Sequence, residues 1–339
     1  MNISNVVRAL ARVSLALTFV VIIAGSVVRM TGSGMGCPDW PKCFGYLIPP
    51  TDVSTLTYAE GRSYGAGQMV LRNDTLWVAN EAITGTSLFN REKWYKYPKH
   101  DYATFNVLHT WVEYVNRLAT VVYGIPVFLL ALFSLLLLIK RGDWGVFLLA
   151  TATVVMVGFE AWLGKLVVDG NLIEHSITYH MFGSIALVAL LSVIVFRMSA
   201  AKLDARPSSV FTHSLLALAV LIFVQILLGT QVREHVDVIA KFESNRSLWV
   251  DMLPLIFKIH RSFSLVLLAV AIWLYRRSHQ EPMIGQFRLA MLVLIAEVLV
   301  GIVLGYFHMP ALAQPLHLFL GALSFGLIFY SWLRARFRG

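Results

Sequence analysis

Four histidines stand at or near the ends of long apolar stretches: His109, His180, His260 and His317. Imidazoles projecting inward from two helices of a bundle can supply both axial ligands of a six-coordinate haem iron, with Leu, Val and Phe covering the apolar porphyrin faces. His260 and His317 are the pair that fits this requirement. A lone buried histidine is more often a packing or hydrogen-bonding residue, but two on paired helices read as ligands. Arg29, Arg117, Arg233 and Arg261 fall at the same level, where porphyrin propionates need cationic partners. Snorkelling to a membrane interface is the simpler use of such arginines.

The histidines belong to an internal duplication. Phe19 to Arg29 (FVVIIAGSVVR) and Phe223 to Arg233 (FVQILLGTQVR) align without gaps, Asn116-Arg117 lies over His260-Arg261, Glu160 over Glu297 and His180 over His317. One half carries two histidines where the other carries one histidine and an asparagine, so two related pockets with different tasks are expected. A polar residue four before a glycine also recurs, as Glu160 with Gly164, Gln225 with Gly229 and Glu297 with Gly301. Close helix packing accounts for the glycines. The polar residues need a further reason, because ionisable groups in hydrocarbon are costly and normally face the bundle interior or a cavity.

The elements that must position these residues follow from composition. With 58% hydrophobic and 14% charged residues the chain reads as an integral membrane protein. Eight stretches have the length needed to cross hydrocarbon: Leu10 to Arg29, His109 to Ile139, Gly145 to Val168, Ser176 to Phe196, Thr212 to Val232, Leu255 to Tyr275, Phe287 to Phe307 and Pro315 to Leu333. The first is too long for a signal-peptide core and lacks a small-residue cleavage site, so it reads as a retained span. The expected architecture is all-α, with eight transmembrane helices as two parallel four-helix bundle repeats. Span one (residues 1–29), a long loop (30–108) and spans two to four (109–206) precede a C-terminal half (207–339). Arg8, Arg12, Lys140, Arg141, Arg197, Arg276, Arg277, Arg334 and Arg336 all fall on one side, which places both termini in the cytoplasm. The formal charge of +9 is accounted for by these flanking cations and anionic lipid, and no basic stripe suited to nucleic acid stands apart from the membrane boundary.

The long loop lies on the opposite, oxidising side, where a Cys37–Cys43 disulfide is expected; the short gap without neighbouring histidines argues against zinc. Alternation around Asn73-Asp74 within Tyr64 to Trp94 predicts a short β-hairpin or three-stranded meander, read as a lid.

The string GSVVRMTGSGMGCPDWPKCFG, the Glu113-Tyr-Val-Asn-Arg117 block, the Gln225 to Arg233 block and the histidines on even-numbered spans together resemble the haem A synthase family, membrane enzymes of cytochrome oxidase assembly. The resemblance covers nearly all of the membrane part. It implies an oxidoreductase that converts the C8 methyl of haem O to a formyl group, yielding haem A. It further implies haem b on His260 and His317, substrate haem on His180, and Glu113 as the acidic residue of the reactive pocket. The expected partners are haem O, membrane lipid, a haem O synthase and an electron partner, in a bacterial inner membrane.

One position departs from the family pattern: Asn116 stands where the second span commonly carries histidine. The internal repeat agrees, since Asn116 lies over His260. Asparagine is a poor iron ligand, so the substrate haem is held by His180 with an open second face, or by His180 together with His109. The latter is two helical turns from Asn116, about 10 Å along the axis. A bis-histidine cytochrome that only carries electrons and a non-catalytic haem carrier share parts of the same signature.

Overall fold

The computed structural model describes residues 2–84, 89–99, 104–169, 175–199, 205–281 and 285–337. Nine α-helices occur among the described residues: α1 (Ile3–Thr31), α2 (Val53–Leu56), α3 (Val107–Arg141), α4 (Trp144–Asp169), α5 (Ser176–Arg197), α6 (Ser209–Phe242), α7 (Leu255–Ser278), α8 (Gly285–Tyr306) and α9 (Ala313–Phe337). All but the single-turn α2 are long and apolar enough to cross a membrane. Their outward faces carry Val121, Phe128, Leu148, Val155, Leu265, Leu292 and Leu299, all exposed. Apolar surface on this scale requires lipid as its solvent. The chain is a multi-pass, all-α membrane protein, with one small sheet among the described residues.

Two compact units divide the chain: Met1–Ser26, Thr120–Glu160 and Ile177–Gly339 form the first, Val27–Ala119 and Ala161–Ser176 the second. In the first, α6 packs on α7 and α9, and α8 on α9. A cluster of Val7, Ala11, Leu130, Leu137, Val146, Ala150, Leu191 and Ile194 ties the remaining four spans together at one end. Asn2 caps α1 through the Ser4 N–H, and Ser208 caps α6 through the Phe211 N–H.

Helix α6 runs ten residues past Val232, where the hydropathy reading ended the span and began a loop. The charges of Arg233, Glu234 and Asp237 stop a hydropathy window without stopping a helix. Val232, Val236 and Ile239 continue an apolar stripe at helical spacing and bury it against Trp249, Leu253 and Met309.

The second unit holds the sheet, an antiparallel meander of β1 (Met69–Arg72), β2 (Thr75–Ala79) and β3 (Trp94–Lys96). Arg72 pairs with Thr75, so the hairpin closes on Asn73 and Asp74, both at positive φ, as a two-residue turn of this twist requires. Both sheet faces are covered. Met69, Leu76 and Val78 pack with Cys37, Cys43, Phe44 and Tyr97, whereas Val70 and Ala79 pack with Tyr64, Ile83 and Trp94. The module is thereby welded to the cysteine loop, and the Tyr97 hydroxyl donates to the Pro38 carbonyl at 2.6 Å.

Candidate functional site

On the first unit, α7 and α9 bring His260 and His317 together with ring centroids 6.3 Å apart and planes at 89°. Neighbouring glycines make the room. A Cβ added to Gly229 of α6 would stand 3.1 Å from His260 Cε1, and one added to Gly301 of α8 would stand 3.2 Å from His317 Cε1. The residues four positions earlier hold the same two histidines: Gln225 Nε2 donates to the His260 carbonyl at 3.0 Å, and His317 Nδ1 donates to the Glu297 carbonyl at 3.1 Å. In α6 and α8 the polar-xxx-Gly pattern is therefore a histidine cradle, since residues four apart share a helix face, whereas a Cβ on Gly164 of α4 would meet nothing within 4 Å.

These residues fit a bis-imidazole haem. A carbonyl oxygen only accepts, so the bond to Glu297 fixes the proton on His317 Nδ1 and leaves Nε2 with its lone pair for a metal. The two rings stand apart by the length that two metal–imidazole bonds of about 2.0–2.1 Å plus the ring radii span. Arg233 lies one turn beyond Gly229 on the same helix face and is bonded to Asp237 at 2.5 Å and to Gln314. Arg261 lies 5.8 Å from the centroid of Phe257.

His180, on α5, meets a different partner: its Nδ1 lies 2.7 Å from Glu160 Oε2 on α4. A cavity of about 40 Å³ lies within the same unit, lined by Thr18, Val21, Thr120, Tyr123, Val157, Glu160, Ser184 and Leu187. Thr18 Oγ1 donates to Tyr123 Oη at 3.2 Å.

Glu113 belongs to the second unit and is buried with both carboxylate oxygens engaged. Oε1 bonds Arg117 Nη2, and Oε2 accepts the Cys37 N–H at 2.9 Å. Arg117 reaches on to the Asp39 and Lys42 carbonyls, each at 2.8 Å, and Thr110 Oγ1 donates to the Gly36 carbonyl at 2.8 Å. Thr110, Glu113 and Arg117 thus clasp the loop that the Cys37–Cys43 disulfide closes. The carboxylate expected beside His109 and Asn116 is turned toward this loop. Asn106 caps the start of α3, its Oδ1 accepting the His109 N–H at 3.1 Å. Burial pushes the Asp39 carboxyl of this loop up, against the Gly45 N–H that it accepts and the Arg117 charge.

Two outcomes follow for the clasp. A Cβ on Gly36 would meet the His109 carbonyl oxygen at 2.3 Å, backbone that cannot move aside, so Gly36→Ala should loosen the loop by about 1–3 kcal/mol. Limited proteolysis between α1 and α3 reads this as faster cleavage. Cys37→Ser with Cys43→Ser opens a six-residue link and should cost about 2 kcal/mol of local stability by chain entropy. Its thermal melt should show an earlier transition while the helical signal persists.

The structure thus joins His260 with His317, Glu160 with His180, and Glu113 with Arg117 and the disulfide. Arg29 and Asn116 lie on α1 and α3 of the second unit, and each has interactions of its own. The cradle pairs were visible in the sequence as a repeated spacing, but their roles were not.

The sequence profile of cytochrome oxidase assembly protein (COX15-CtaA) matches residues 8–74 and 67–329. A protein of Shewanella oneidensis named heme A synthase is 27% identical over 222 residues, covering 65% of this chain. The match spans about half of that relative, 54% of its length.

Proposed function

Because the chain belongs to the cytochrome oxidase assembly protein family, we propose that it is a haem A synthase-like oxidoreductase that converts the C8 methyl of haem O to a formyl group, giving haem A. The observation that carries this reading is the unequal pair of histidine sites. The C-terminal site has two facing imidazoles, whereas its N-terminal counterpart has His180 alone with Asn116 at the repeat-equivalent of His260. Two ligands suit electron transfer; one ligand leaves a face for chemistry.

In this reading His260 and His317 hold haem b, and Gln225, Gly229, Glu297 and Gly301 keep the two rings in register. Bound haem b supplies one-electron transfer. His180 holds the substrate haem O, with an open second face in preference to His109. Arg29, Arg117, Arg233 and Arg261 serve the propionates of the two porphyrins, and Asn116 lines the substrate side. Glu113 would receive protons released at each of two steps in which the substrate methyl, taking up water, gives two electrons to an external acceptor, becoming first a hydroxymethyl and then a hydrated aldehyde that loses water. Both its oxygens keep lone pairs beyond those given to Arg117 and Cys37, so either can take a proton without leaving the clasp.

The reading places the protein in a bacterial inner membrane with both termini cytoplasmic, the disulfide and meander outside, and haem O synthase and an external electron carrier as partners. Expression with a haem O source, followed by pigment extraction and mass analysis, tests it. Haem A or its hydroxymethyl precursor supports the enzyme. Haem b alone identifies an electron-carrying cytochrome, and unchanged haem O a carrier.

A further inference from the structure

We propose that Glu160 is a positioning residue for His180, and that it makes the N-terminal imidazole a stronger donor than its C-terminal counterpart. The inference rests on the reading of His180 as an iron ligand. Glu160 and Glu297 are repeat-equivalent, as are His180 and His317, yet the contacts differ in kind. His317 gives its Nδ1 proton to the main-chain carbonyl of Glu297 at 3.1 Å, whereas His180 Nδ1 is 2.7 Å from the carboxyl oxygen of Glu160. A carboxylate partner orients an imidazole, fixes the Nδ1–H tautomer and raises the basicity of Nε2 more than a neutral carbonyl does.

Two features install this difference. The first is Gly183 on α5: a Cβ there would stand 1.7 Å from Glu160 Oε1, so the carboxyl group occupies space that any other residue would fill. The second is the cavity. At the repeat offsets, Thr18 corresponds to Ile222, Tyr123 to Leu267 and Val157 to Leu294. Those three are buried in the apolar core of the C-terminal half, whereas Thr18 and Tyr123 present hydroxyls to a space Glu160 also lines. Glu160 thus lies beside two hydroxyl-bearing residues whose counterparts in the other half are apolar, and Glu297 sets its Oε1 against Gly321 instead.

The test uses purified protein carrying both haems, with redox titration in the Soret region and the C-terminal haem as internal control. Glu160→Gln keeps size and an acceptor but not the carboxylate, and should shift the N-terminal midpoint potential upward while the C-terminal one stays put. Gly183→Ala, which alters neither partner, should shift it in the same direction by displacing the carboxyl group. Glu160→Ala should in addition weaken N-terminal haem retention by about 10–100-fold. Unmoved N-terminal potentials in both Glu160→Gln and Gly183→Ala would overturn the proposal. His180→Gly separates it from its premise: N-terminal haem lost and restored by added imidazole supports His180 as ligand, while haem retained unchanged in that variant removes the premise itself.

Discussion

His317→Ala should remove the low-spin, six-coordinate spectrum of the C-terminal haem and leave the helical fold in place. The effect is expected to be large because the variant deletes a ligand, not a supporting contact. Loss of an outer partner already costs about 10–100-fold in metal affinity, and loss of one of two axial ligands should exceed it. The fold should survive, since His317 is held by one bond to the Glu297 carbonyl and by the surface of Gly301, and the apolar core around Ile226, Leu294 and Phe325 is untouched. Optical spectra with added imidazole provide the check. A five-coordinate haem that returns to six-coordinate with imidazole is the expected result; an unchanged spectrum would remove His317 from the ligand set.

Glu113→Ala should abolish haem A formation while the C-terminal haem spectrum stays intact, with a fall of about 10²–10⁴-fold, the range that general acid–base groups supply. The same variant leaves the Cys37 N–H without its acceptor and costs Arg117 its ion pair, a penalty of about 1–3 kcal/mol. Arg117 keeps the Asp39 and Lys42 carbonyls, so the loop should remain docked. The two roles separate in Glu113→Gln, whose amide oxygen still accepts from Cys37 but is a poor proton acceptor. Loss of product in Glu113→Gln with normal protease resistance between α1 and α3 assigns Glu113 to the chemistry. Full turnover in that variant would leave it as a clasp only.

Much of this arrangement was legible before any coordinates. Eight spans, the meander around Asn73-Asp74, the disulfide and the His260–His317 pair rest on local signals: apolar length, strict alternation, turn chemistry and residue spacing. The extension of α6 to Phe242 was not, because charged residues interrupt a hydropathy window although Val232, Val236 and Ile239 carry the helix onward. The turn of Glu113 toward Cys37 was not either. Its helix face was readable, but the choice between the loop and the His109–Asn116 side is made by a backbone N–H that lies 76 residues away in the chain.

The sequence by itself determined the membrane class, the repeated motifs and the histidines proposed here to grip a porphyrin, since hydropathy, period and residue type are properties of short segments. Only the tertiary structure decided which oxygen each histidine faces: a side-chain carboxyl for His180, a main-chain carbonyl for His317. That choice depends on how closely neighbouring helices approach at Gly183 and Gly301, a matter of a single missing Cβ that no periodicity encodes.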